Sequence, residues 1–228
     1  MSLDDAVAQG LSALQHAVTR PDVRLQERIV QYLSLIAKWN RQYNLTAVRN
    51  VEDMLYQHIM DSLAAVEYVD GPRLVDVGTG AGLPGIPMAI VRPDWQVTLS
   101  ESNQKKAAFL QQVKIELALD NVMVMAKRIE TAVVDQSPDT IISRAYASLG
   151  DFINTTQHLV KPCDEVRSRW VAMKSNCTQQ ELDQVTSPYV IEKRIPLTVP
   201  GLSAKRELIV IRRMSVPDKP DILEAHRG

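Results

Sequence analysis

The stretch Arg73–Ile90, RLVDVGTGAGLPGIPMAI, places four glycines, Gly78, Gly80, Gly82 and Gly85, within eight residues directly after an apolar run. An apolar strand that breaks into a glycine-rich turn and resumes as a helix is the first βα unit of an open α/β sheet, where ligands meet strand ends. Working outward, the runs WQVTLSE, NVMVMAK, TIISRA and RWVAMK follow at intervals filled by helical segments. Such alternation predicts a parallel sheet flanked by helices. The segments YVIEKRIPLTVP and RELIVIRR have no helix-length stretch between them, and the short joining GLSAK suits an antiparallel hairpin.

Upstream, Leu25, Ile29, Tyr32, Leu33, Ile36 and Trp39 recur at spacings of three and four, which predicts one amphipathic helix over Leu25–Tyr43. A second is expected from about Val51 to Val66, with Met54, Leu55, Ile59, Leu63 and Val66 facing inward, after a loop over YNLTAVRN. The expected organisation is a helical extension over residues 1–65, an α/β domain over 66–213 and a Pro- and charge-rich tail over 214–228.

At 228 residues and 45% hydrophobic, the chain can bury one full core plus a smaller appendage. Its 26 basic and 27 acidic residues leave a formal charge of −1, so a polyanion must be met by a local patch. Cys163 and Cys177 lack metal-ligand spacing and suit free thiols in a reducing cytoplasm, so no metal centre is expected. The acidic start MSLDDAVAQG is no signal peptide, and no apolar run reaches the roughly 18 residues of a membrane span. A soluble cytoplasmic protein with no membrane partner is expected.

Gly80-Ala81-Gly82-Leu83-Pro84-Gly85 satisfies the dinucleotide fingerprint, and Glu101 lies 21 positions after Gly80, where an acid meets a ribose. Asp76, two residues before Gly78, makes the loop read Asp-x-Gly-x-Gly-x-Gly. A carboxylate there suits a cationic ligand better than a pyrophosphate. S-adenosylmethionine carries an ammonium and a sulfonium, and with it Glu101 accepts hydrogen bonds from both ribose hydroxyls. A nicotinamide cofactor, or a turn that merely permits close packing, stays open on these residues alone. Pro84 suits the first turn of the following helix.

YNLTAVRN, HIMDSL, LVDVGTGAGLPGIP, AKRIE, IISRAYASL and AMK, in this order, resemble the bacterial small-subunit rRNA methyltransferase G family, also called glucose-inhibited division protein B. The resemblance runs from Leu25 to Arg213. It implies a class I methyltransferase fold that uses S-adenosylmethionine to methylate N7 of guanine 527 in the 530 loop of 16S rRNA. The implied partner is that rRNA in the small ribosomal subunit or its assembly intermediates, and the protein is expected to act as a monomer. The resemblance also implies cofactor contacts at Gly78, Leu83, Ile129, Glu130 and Arg144. Ala81 stands where many relatives have Pro and Glu101 where many have Asp; the second keeps the carboxylate. A small-molecule methyltransferase and a non-catalytic assembly factor are the competing readings.

The remaining residues limit the chemistry. SRAY, Ser143–Tyr146, occupies the place where amine methyltransferases carry an Asn/Asp-Pro-Pro-aromatic segment, and Pro162-Cys163 sits at a helix-to-strand junction away from that place. Guanine N7 attacks with its own lone pair, so it needs positioning and electrostatics but no base or covalent nucleophile. Arg144 is the candidate for ordering the reacting groups. Arg49, Arg128 and Lys174 are the candidates for RNA contact. Separately, the basic pairs Lys105-Lys106, Lys127-Arg128, Lys193-Arg194, Lys205-Arg206 and Arg212-Arg213 mostly fall at element ends, where solvated caps are common, and some can form a basic rim. His58, Asp61 and Ser62 lie at i, i+3 and i+4 of one helix, which cannot build a hydrolytic triad. Their likeness to the family's HxxDS places that helix over the cofactor mouth, near Asn44 and Thr46.

Overall fold

The Ser2 hydroxyl and the Asp5 carboxylate cap each other's backbone amides and start helix α1, Leu3–Ala13. Asp22 caps α2, Val23–Tyr43, which ends at Asn44 in the left-handed conformation, φ 49°. The computed structural model describes residues 2–14, 22–144, 146, 148–164 and 167–214; beyond Met214, the tail expected from sequence lies outside them.

The second expected helix divides into α3, Val51–Met54, a π-helical turn, Leu55–Met60, and α4, Asp61–Leu63. Met54, Leu55, Ile59, Leu63 and Val66 are all buried, as the periodicity predicts. The π turn is not legible in that pattern, because one widened turn leaves the apolar stripe almost unchanged.

The sheet follows from β1, Arg73–Val77; β2, Gln96–Ser100; β3, Val122–Met125; β4, Thr140–Ser143; β5, Arg169–Lys174; β6, Tyr189–Leu197; and β7, Arg206–Arg213. Their order is β3-β2-β1-β4-β5-β7-β6, with β1 to β5 parallel and β6 and β7 antiparallel, as expected. The crossovers supply α5, Gly85–Val91; α6, Gln104–Glu116; and α7, Leu149–Thr156, while α8, Gln179–Leu182, precedes the hairpin. Between β3 and β4 the connection holds only a 3-10 turn, Ile129–Thr131, among the described residues.

Period-two alternation decides which residues face which layer. Leu74, Leu99, Ile142 and Val171 face α2, α5 and α6, whereas Val75, Val77, Ile141 and Trp170 face α7. Tyr32, Leu33 and Ile36 of α2 join Ile86, Phe109 and Leu110 in the first of these cores. Burying one such aliphatic side chain contributes about 1.5–3 kcal/mol, so α1 and α2 belong to the same core as the sheet.

Candidate functional site

All parallel strands end on one side, and the glycine loop leaves β1 there with Gly78, Gly80 and Gly82 at φ 66°, 61° and 93°. Three left-handed residues have little intrinsic preference for one shape, so contacts from outside must hold the loop. The Gly78 and Thr79 amides donate to the Ser100 carbonyl at 3.0 and 3.2 Å. The Gly80 amide donates to Glu101 Oε2 at 3.0 Å. From α2, the fully buried Tyr32 hydroxyl donates to the Ala81 carbonyl at 2.6 Å.

The four glycines serve two purposes. A Cβ on Gly78 meets nothing within 4 Å, and one on Gly80 meets only the Gly78 carbonyl, at 3.9 Å. Those two present bare backbone to open space. A Cβ on Gly82 falls 2.6 Å from Ile86 Cγ1 and 2.9 Å from the Tyr32 oxygen, and one on Gly85 falls 2.3 Å from Leu99 Cδ2. Gly82 and Gly85 are thus demanded by core packing, although the sequence reading counts Gly82 with Gly78 and Gly80 among the residues that approach the cofactor. Leu83 is buried in the same core.

Asp76 shares its strand face with Leu74 and points toward α5, so its carboxylate is fully buried behind the loop. Its Oδ2 accepts from the Gly85 amide at 2.7 Å and from the Thr79 hydroxyl at 2.5 Å, while Oδ1 has no hydrogen-bond partner among the described residues. Pro84 stands at the N-cap of α5, one residue before the first-turn position expected from sequence, and offers no side-chain cap; Asp76 takes that role. Burial pushes the Asp76 pKa up to about 6, against the opposing effects of those two hydrogen bonds and of Arg144.

Beside Gly78 opens a cleft of about 310 Å³ lined by Ser100, Glu101, Arg128, Ile129, Glu130 and Tyr146, among others. Glu101 is 8% exposed and spends one lone pair of each oxygen on the Gly80 and Asn103 amides, leaving capacity for further donors. Ile129 is buried at the 3-10 turn, with the exposed Arg128 and Glu130 on either side.

Arg144, just past β4, borders a second cleft of about 260 Å³ with His58, Asp61, Lys174 and Arg206. Its Nη1 donates to the Gln57 carbonyl at 3.1 Å and lies 3.4 Å from Asp61 Oδ2. Gln57 lies inside the π turn, where the regular ladder is interrupted: the Asp61 amide donates to the Tyr56 and His58 carbonyls, and the Gln57 carbonyl receives Arg144. Arg206 Nε donates to the other Asp61 oxygen at 2.9 Å. Burial raises the Asp61 pKa, opposed by both arginines. Burial and then Arg144 lower that of His58 to about 4, so its ring is neutral near pH 7.

Two of the sequence candidates for RNA contact are engaged within the chain. Lys174 pairs with Glu181 at 2.5 Å and donates to the Tyr146 carbonyl at 2.8 Å. Arg49 folds back onto the Asn40 carbonyl and the Asn44 side chain, closing the C-terminal end of α2.

The rRNA small subunit methyltransferase G family model matches residues 25–210. The chain belongs to that family. It is 47% identical to the ribosomal RNA small subunit methyltransferase G of Nitrosomonas europaea, over 93% of this chain and 98% of that one. The protein of the same name from Neisseria meningitidis serogroup C is 45% identical over 90% and 94%. Solved structures of low identity share the fold: a MtNAS mutant in complex with S-adenosylmethionine (TM-score 0.54, 13% identity, 93% of this chain and 88% of that one) and a SAM-dependent methyltransferase from Aquifex aeolicus (0.51, 14%, 71% and 93%). The architecture is therefore the class I methyltransferase fold expected from sequence.

The family's cofactor, S-adenosylmethionine, fits the donor set of the first cleft. Gly78 and Gly80 leave open backbone and Glu101 retains acceptor capacity; the Asp76 carboxylate, expected from sequence beside a cationic ligand, is instead buried behind the loop and does not line this cleft. Tyr32 and Thr79 escaped the sequence reading as site residues, while Asp61 entered it only through the HxxDS likeness and Arg206 only as one of the basic pairs. For Asp61 a signal existed, since an acid on the buried face of a helix must have a partner. Tyr32→Phe is expected to strand the Ala81 carbonyl and destabilise the fold by about 1–3 kcal/mol. Urea denaturation checks this, and an unchanged midpoint would refute the tether.

Proposed function

We propose that this protein methylates N7 of guanine 527 in the 530 loop of 16S rRNA, with S-adenosylmethionine as methyl donor, in the cytoplasm where small subunits are assembled. The observation that carries this reading is a pair of neighbouring clefts at the strand ends, one built like a cofactor site around Gly78 and Glu101 and one, bordered by Arg144, lined by basic and polar side chains, with Lys174 of the second bonded to the carbonyl of Tyr146 in the first. In this reading Gly78, Gly80, Glu101, Ile129 and Glu130 hold the cofactor, with Asp76, Gly82 and Leu83 supporting the loop from behind. Bound there, the sulfonium supplies an electrophilic methyl group.

The chain's own residues suit a nucleophile that brings its own lone pair. His58 is neutral and buried against Thr46 Oγ1, 2.8 Å away, rather than presented as a base. Burial lifts the Cys177 thiol to about 11, so it is no thiolate near neutral pH. Arg144 and Arg206 provide fixed positive charge and directed donors. Specificity then rests on the shape of a folded RNA loop and on extrusion of one base.

Methyl transfer to small subunits lacking the modification tests the reading. Wild type is expected to form one 7-methylguanosine per subunit and none in a guanine-to-adenine variant at 527. Replacing both Cys163 and Cys177 by Ser should leave that transfer largely intact. Undiminished transfer to the adenine variant, or a protein–RNA adduct through either thiol, would overturn it.

A further inference from the structure

The second cleft is more than a rim of the cofactor site. Asp61 is 2% exposed, yet it carries two guanidinium groups, one on each oxygen: Arg206 at 2.9 Å and Arg144 at 3.4 Å. A single buried carboxylate that orients two arginines sets their planes and spacing, because a guanidinium donates in a rigid fork. His58, 5% exposed, has its Nε2 engaged by Thr46 while its Nδ1 is buried with no hydrogen-bond partner among the described residues. The Lys174 charge is balanced by Glu181, so Arg144, Arg206 and Asp61 leave the cleft one net positive charge.

This inventory selects a ligand. Arginine donors exceed acceptors, and the principal acceptor, Asp61, is already bonded on both oxygens. The complementary molecule is rich in oxygen acceptors, as a guanine nucleotide is through its O6 edge and its phosphates. The cleft also lies beside the first: Lys174, on its wall, donates to the carbonyl of Tyr146, which lines the cofactor cleft.

We propose that this cleft receives the extruded target guanine nucleotide, that Arg206 donates to its oxygen acceptors, and that Asp61 is the positioning residue that holds Arg206 and Arg144. The proposal rests on the function given above and deepens it by naming where the substrate enters. Arg206 reaches this place because β7 runs antiparallel to β5: its first residue lies at the end where the parallel strands finish.

The test compares wild type, Arg206→Gln, Arg206→Lys and Asp61→Asn by calorimetry with S-adenosylmethionine, by filter binding of unmodified small subunits, and by methyl transfer. Arg206→Gln is expected to bind S-adenosylmethionine within twofold of wild type, which also reports that it is folded, while kcat/KM for subunits falls by roughly 100-fold. Arg206→Lys should recover about tenfold of that loss, and Asp61→Asn should lower kcat more than subunit affinity. If Arg206 holds a phosphate, its loss reduces the salt slope of binding by about 0.7–0.9; if it holds O6, the slope is unchanged. Either supports the site. Transfer by Arg206→Gln within twofold of wild type overturns it, and failure of wild type to methylate small subunits overturns the functional reading and this site together.

Discussion

Arg144→Ala is expected to lower single-turnover methyl transfer by at least roughly 100-fold, with a much smaller loss of affinity for small subunits. The guanidinium is fixed from two directions, by the Gln57 carbonyl and by Asp61, so it is held before any ligand arrives. Preorganised charge of this kind acts on the reaction rather than on encounter, because little of it has to be reorganised when the reacting groups meet. The fold should survive, since Asp61 keeps Arg206 as a partner. Rapid-quench assays at saturating subunits and cofactor, beside filter binding, separate the two quantities. Full activity in this variant would remove Arg144 from the mechanism.

The second large effect divides the glycine loop. Gly78→Asn is expected to fold and yet bind S-adenosylmethionine on the order of 100-fold more weakly. Asn tolerates a left-handed backbone, and a Cβ at 78 meets no protein atom within 4 Å, so the side chain has the open cleft to enter. Gly82→Ala should do the reverse and strike the fold itself. Its methyl would press into Ile86 and the Tyr32 hydroxyl at φ 93°, at a cost of about 1–3 kcal/mol for overpacking and a similar amount for strain. That is a large share of an ordinary domain's stability of about 5–15 kcal/mol. Calorimetry and thermal unfolding of both variants decide the matter; a Gly78→Asn protein with wild-type cofactor affinity would show that Gly78 does not face the cofactor.

Much of the architecture is legible in the residues because it is governed by local rules. The three-and-four spacing from Leu25 to Trp39 defines the buried face of α2, and alternation in RLVDV puts Leu74 and Asp76 on one side of β1 and Val75 and Val77 on the other. Applied to Asp76 from the outset, that alternation points its carboxylate at the start of α5 and away from the open cleft. The hairpin of β6 and β7 was likewise readable, since too few residues separate the two runs for a parallel crossover.

What tertiary structure alone decided are the contacts between residues far apart in the chain. Tyr32 meets Ala81 across 49 positions, Arg144 meets Gln57 across 87, and Arg206 meets Asp61 across 145. No periodicity encodes such pairs: each depends on how whole elements stack, and the Arg144 contact to Gln57 is made within a π turn that the apolar stripe does not reveal. The same holds for charge. Composition counts Lys174 and Arg206 alike as cations in a near-neutral chain, and only packing brings both to one cleft and commits the first to Glu181 and the second to Asp61, because a neighbour's distance and burial decide what a charge is worth.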